Sequence, residues 1–237
     1  MKNEEIKHNY KSPHQLSENL WEISGDWSNK LGRRMTVIRL KNGDVFIHNA
    51  IRLKPEDLSW LKSLGGVKYV VAPNTFHCSD AGWMIEKFSE AQLYVPQKKI
   101  EHFRKMGFSP LDVAVDFPTQ FLNELSAVPM QGTKMDEVAF IHHSSRTLIF
   151  CDLAFNMGDV FSGIEKLIMD WNKVGRRFGP SRFTKIFFTK NSNQLVDSYK
   201  KILTFDFDRV IVNHGDILEK NGKTLLKSGV EDIFGPL

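Results

Sequence analysis

Twice along this chain a hairpin of alternating strands gives way to helix–strand units, and few architectures accommodate that order. Leu20 to Ser24 alternates apolar and polar side chains as a half-buried strand does. Residues 35–40 (MTVIRL) and 45–47 (VFI) read as two more strands, and the Asn-Gly pair within Lys41-Asn42-Gly43-Asp44 marks the tight turn between them. The segment LKPEDLSWLKSLG carries Pro55 near its start and Leu58, Leu61 and Leu64 at three-residue spacing. With Gly65-Gly66 closing it, the pattern specifies an amphipathic helix. VKYVVA (67–72) is a buried strand that stops at Pro73, followed by a helix over Ala81–Ser89, a short strand at 93–95 and a polar helix over 97–107. The second hairpin joins 138–142 (VAFIH) to 147–152 (TLIFCD) through His143-Ser144-Ser145-Arg146. After it come a helix over 160–172 with Ile164, Leu167, Ile168 and Trp171 on one face, and a helix over 192–203. A strand within 207–216 and a closing helix over 223–234 complete the chain. The order predicts an α/β fold in which two mixed sheets pack together with helices outside, a four-layer αββα sandwich.

A chain of 237 residues can bury such a core as one domain. The domain is expected to run over residues 20–237, after an N-terminal arm of residues 1–19. With 41% hydrophobic and 25% charged residues the composition is that of a soluble globular protein. A net charge of +4 without clustering gives no nucleic-acid footprint. The basic loop Lys173–Lys190, with Arg176, Arg177, Arg182, Phe178 and Phe183, reads first as a solvated surface loop, because its charges do not continue into another basic segment; an anionic substrate or RNA is the second reading. Two cysteines, Cys78 and Cys151, are too few for a disulfide framework and suit a reducing compartment. The polar start MKNEEIKHNYKSPHQLSEN has no apolar signal region, and no stretch reaches the roughly 18 apolar residues of a membrane span. The expectation is a cytoplasmic protein that engages no membrane.

Four strand ends carry the chemistry. VFI is followed by His48-Asn49, VVA by Pro73 and Asn74-Thr75-Phe76-His77-Cys78-Ser79-Asp80, TLIFC by Asp152, and VIV by Asn213-His214-Gly215-Asp216. Singly, a histidine after a strand is an ordinary loop residue and an aspartate there a cap. Jointly, polar ends that meet at one rim offer imidazoles and carboxylates, which is a metal-ligand set.

These motifs resemble the metallo-β-lactamase-like superfamily, from about Leu20 to Phe234. The stretch Gly132 to Phe140, the hairpin and Thr-Leu-Ile-Phe-Cys-Asp152-Leu fit that family's Gly-His-Thr-x-Gly-Ser segment and its strand–turn–strand ending in Gly-Asp-Leu. The family's metal-binding histidine falls on Thr133 and its aspartate on Asp152. RVIVNHGD is similar to the family's closing strand and Gly-His-Gly, which places His214 at the final ligand position. The central His-x-His-x-Asp-His motif is eroded. One register matches Asp80 to the aspartate and leaves Phe76, Cys78 and Ala81 at histidine positions; a shortened one, which keeps a nitrogen group directly after the strand, runs from Asn74 to His77. The family's Leu-Ile-Asp turn is replaced by Phe46-Ile47-His48. The combination also resembles an uncharacterised branch of the superfamily, with a fold and no established reaction.

In the intact family two divalent metals activate a hydroxide that attacks an ester, thioester, amide or phosphodiester. Here the resemblance implies a hydrolase with a reduced, single-metal site acting on an unknown small-molecule substrate. Its metal ligands would be His77, Asp152 and His214, with His48 or Asp80 as a further candidate, and zinc the first choice before iron or manganese. Asp152, Glu137 and Asp80 are the catalytic candidates, Glu137 as general base or outer partner against the simpler reading of an exposed charge at a strand start. A Cys78–His77 nucleophile pair is disfavoured, because neighbouring residues rarely take that geometry. Cys151 is expected to point away from the Asp152 side chain, and at most one of His142 and His143 can face the pocket. A redox di-iron centre has too few ligands. The alternative, motivated by Thr133 and the broken central motif, is a non-catalytic binding or assembly domain that kept the fold and lost the metal. The oligomeric state is not read from the sequence.

Overall fold

The structure, a computed structural model, describes residues 10–25, 31–121, 123–175 and 177–237. Of the expected arm, residues 1–9 lie outside the described residues. Its later part is not an arm: β1 (His14–Ser17) pairs antiparallel with β2 (Leu20–Gly25).

The first sheet has seven strands in chain order. After β1 and β2 come β3 (Arg33–Arg39), β4 (Val45–His48), β5 (Val67–Val71), β6 (Gln92–Val95) and β7 (Leu111–Asp112). The first four pair antiparallel and the rest parallel, with α1 (Pro55–Leu64), α2 (Ala81–Lys87) and α3 (Ile100–Lys105) as the crossovers that parallel neighbours need. The Asn42-Gly43 turn forms as expected: Gly43 takes φ 88° and Arg39 faces Val45. The second sheet contains β8 (Leu125–Pro129), β9 (Val138–His142), β10 (Thr147–Ile149) and β11 (Arg209–Ile211) in the order β11-β10-β9-β8. It too is mixed, β10 and β11 being parallel.

Neighbouring residues on a strand belong to different layers, as the pleat requires. Val37, Val45, Ile47 and Val70 pack under the helical side with Leu61, Met84 and Phe103. Ile38, Phe46 and Val71 face the other way and meet Phe140, Ile149 and Ile211 of the second sheet. Phe46 and Phe140, with ring centroids 5.2 Å apart, mark this seam between sheets. Beyond it, Ala139, Leu148 and Val210 turn to Leu195, Tyr199 and Ile202 of α5 (Ser192–Leu203) and to Leu226 and Val230 of α6 (Gly222–Phe234). Helix, sheet, sheet, helix is the expected sandwich.

One helix departs from the pattern. In α4 (Gly163–Trp171) no residue is buried, and Ile164, Leu167, Ile168 and Trp171 are exposed. Its apolar stripe is real but faces no sheet. Among the described residues no helix is long and apolar enough to cross a membrane.

Candidate metal centre

The two sheets share one rim, and three of the four polar strand ends bring side chains of metal-ligand type together there. His77 follows β5 in the first sheet, while Asp152 and His214 follow β10 and β11 in the second. His77 Nε2 lies 3.2 Å from Asp152 Oδ2, and His214 Nε2 lies 3.2 Å from Asp152 Oδ1. All three residues are buried, and their donor atoms fall within 4.8 Å of one another.

Asparagines hold these loops. Asn74 Oδ1 accepts from the backbone N–H groups of Phe76 and His77 and so folds the His77 loop, while its Nδ2 donates to Asp152 Oδ2 at 2.8 Å and Glu137 Oε2 at 3.0 Å. Asn213 Oδ1 accepts from Asn49 Nδ2 and from the Arg34 N–H, leaving its Nδ2 2.9 Å from His214 Nε2 and 3.2 Å from His77 Nε2. The Arg34 guanidinium closes the His214 loop onto β3 by donating to the carbonyls of Val212 and Gly215, and Glu22 accepts from its Nε at 2.5 Å. Gly215 is required where it stands: φ is 92°, and a Cβ would come within 2.1 Å of the Asn156 carbonyl oxygen.

Sequence reasoning missed Arg34, and it marked Asn49 as part of a polar strand end without giving it a role. An arginine opening a strand that otherwise reads as buried was the available signal, since a buried guanidinium has to find partners.

Glu137 is not the exposed charge the sequence suggested. It is 1% exposed and accepts from the backbone N–H groups of Cys151, Asp152 and Leu153 as well as from Asn74. Burial and the nearby Asp152 charge push its carboxyl above the usual range, and the N–H donors pull against them. Glu137 thus shapes the turn that presents Asp152. Cys151 is a correction of the same kind. β10 ends at Ile149, so strand alternation no longer governs residue 151, and the sulfur comes within 4.8 Å of the Glu137 and Asp152 carboxylates. Burial raises its thiol well above the ordinary value, as burial raises that of Cys78, so neither is a ready thiolate.

Asp80 is placed away from the cluster. Its carboxylate pairs with Arg33 and, at 3.1 Å, with Arg52, which ties the start of α2 to β3. His48 is buried beside Phe140 with an Nε2 that has no hydrogen-bond partner, and it is not one of the three converging ligands. Burial, with His77 nearby, pushes its imidazole down to about 3. Thr133 hydrogen-bonds the Met130 carbonyl instead of facing the cluster. His142 and His143 sit at the far end of β9, bonded to Ser144, Ser145 and Ser126, so neither reaches the rim. In the basic loop, Arg177 and Lys173 pair with Asp232 and Arg182 lies over the Trp171 ring; Arg176 lies outside the described residues.

The donors present fit one divalent ion. His214 Nδ1 stands 2.9 Å from the Gly32 carbonyl and 3.1 Å from that of Leu31. Carbonyls only accept, so Nδ1 carries the proton, and in the neutral ring Nε2 turns a lone pair toward Asp152. Asp152 Oδ1 is buried without a hydrogen-bond partner of good geometry. Burial alone would raise the Asp152 carboxyl, but His77 and His214 outweigh it and hold the group far below the usual carboxylate range. His214 is raised in turn, its burial overcome by the Asp152 carboxylate.

A family model, the domain of unknown function DUF4336, matches residues 29–170. The chain belongs to this family. Comparison with curated proteins gives no match. Solved structures sharing the fold include a metallo-β-lactamase from Pontibacter korlensis, at 11% identity and TM-score 0.62 over 94% of this chain and 98% of that one. The putative diflavin flavoprotein A 5 fragment from Nostoc sp. gives 11% identity and TM-score 0.63 over 94% and 96%. The metallo-β-lactamase FIM-1 from Pseudomonas aeruginosa, in its mono-zinc form, gives 10% and 0.59 over 95% and 96%. DUF4336 here has the metallo-β-lactamase fold, as its motifs suggested.

Proposed function

We propose that this chain is a hydrolase with one divalent metal, zinc in the first instance, held by His77, Asp152 and His214. The observation that carries the reading is the convergence of those three buried ligands, with the His214 tautomer fixed by backbone carbonyls. Two imidazoles and a carboxylate leave a coordination position open for water or substrate. A bound divalent ion supplies Lewis acidity and makes a water acidic enough to ionise near neutral pH. The protein supplies the rest. Asp152 stays ionised and can accept a proton from a water placed between it and the substrate. Asn74 and Glu137 hold Asp152 in place, and the Leu31 and Gly32 carbonyls fix the His214 ring through its Nδ1. The reaction adds one water across an acyl or phosphoryl bond and releases an acid and an alcohol, thiol or amine. A solved relative by fold bears one zinc, which agrees with a single-metal site.

The test is elemental analysis of the full chain purified from medium supplemented with zinc, iron and manganese. About one metal per wild-type chain is expected, and under a tenth of that in Asp152→Ala, with circular dichroism unchanged. A metal-free wild type, or equal metal in the variant, overturns the assignment and favours a binding domain.

A further inference from the structure

The three ligands form one wall of a cavity of about 460 Å³, a size suited to a small molecule. The rest of its lining is apolar in large part. Phe155, Met135 and Val174 line it within, and Phe76, Ile168 and Phe183, all exposed, line it where it meets solvent. Phe188 braces the opening, with ring centroids 5.3 Å from both Phe76 and Phe183. Among the described residues no lysine or arginine lines the cavity. A phosphodiester or a free carboxylate would enter without a side-chain cation to meet its charge, and desolvating an unmatched charge is costly.

Outside the three ligands, one polar atom in this lining lacks a partner. Asn172 is 9% exposed, and its Nδ2 donates to the Ile168 carbonyl at 3.0 Å. That carbonyl can only accept, so the amide nitrogen must face it and Oδ1 is the other end. Oδ1 is buried with no hydrogen-bond partner. The other two polar side chains, Ser181 and Thr184, bond each other at 2.8 Å. A buried, unpaired acceptor in an apolar cavity is a demand for a donor.

We infer that the cavity takes an uncharged acyl compound, an ester or amide with an apolar chain and one N–H or O–H donor that reaches Asn172 Oδ1. The inference rests on the hydrolase reading for the bond cleaved, but the recognition belongs to the cavity itself and can be measured without turnover. The chain lies among Phe155, Val174 and Ile168 and continues toward Phe76 and Phe183. Phosphodiesters and carboxylates fall outside the class.

Calorimetric titration of the full chain, as purified and after dialysis against a chelator, tests this with N-methylhexanamide, N-methyloctanamide and N-methyldecanamide. N,N-dimethyldecanamide, which lacks the N–H, and sodium decanoate serve as contrasts. Affinity is expected to rise about fourfold per methylene. The secondary decanamide should bind about threefold or more tighter than the tertiary one, and tighter than decanoate in the dialysed protein. Ile168→Lys, a change at an exposed position, should weaken the decanamide at least tenfold while the melting temperature holds. Affinity independent of chain length, equal binding of the two amides, or preferred binding of decanoate by the dialysed protein overturns the inference. If the series holds but zinc-loaded protein cleaves none of the corresponding esters and amides, the hydrolase reading fails and the recognition stands.

Discussion

Asn74 shows how much one side chain carries at the rim. Its four hydrogen bonds shape the His77 loop and clamp the Asp152 loop, and the residue is wholly buried. Asn74→Ala would strip two backbone donors of their acceptor and leave the Glu137 and Asp152 carboxylates without the amide between them. The expected loss is about 2–3 kcal/mol, read from the midpoint of urea unfolding; a midpoint equal to wild type would show that the loops hold without it. The sequence marked Asn74 only as a position in an eroded motif. Its importance comes from Glu137 and Asp152, 63 and 78 residues away, and no local pattern encodes such a partner.

At the scale of elements, periodicity read well what each segment is and less well what it touches. The Pro55 helix, the Asn42-Gly43 hairpin and the α5 and α6 helices formed where expected, because caps, turns and apolar spacing are local signals. β8 and β7 were missed: LSAVP is short, ends in proline, and becomes a strand by pairing with β9. The α4 helix carries an apolar face as clear as that of α5, yet Leu167 is 69% exposed and Ile164 76%. Since Leu167 packs into no core, Leu167→Lys should change stability by less than about 0.5 kcal/mol. Leu148→Ala, in the buried β10, should cost about 2–5 kcal/mol. Thermal unfolding of the two variants separates these expectations, and an equal loss in both would place α4 in the folded core.

Across the whole molecule, the centre draws one ligand from the first sheet and two from the second, so a bound ion would cross-link the layers. Binding to the folded chain alone must raise its stability. With free zinc at about a hundred times its dissociation constant the gain is about 2.7 kcal/mol, or a few degrees in melting temperature. The same addition should leave Asp152→Ala where it was. A shift of equal size in that variant would mean that zinc binds elsewhere.

By itself the sequence determined the α/β class, the two hairpin-led halves and the polar strand ends, since strand alternation, turn chemistry and helix spacing are written within a dozen neighbouring residues. It also carried the family likeness, through the segments around Gly132–Leu153 and Asn213–Gly215. Only the tertiary structure decided which polar ends meet. It brought His77, Asp152 and His214 together, sent Asp80 to Arg33 and Arg52, buried Glu137 beneath a turn, and left His48 in the core. The physical reason is that contact among loops depends on how two sheets stack and on which buried groups must find partners, and both are settled across the fold.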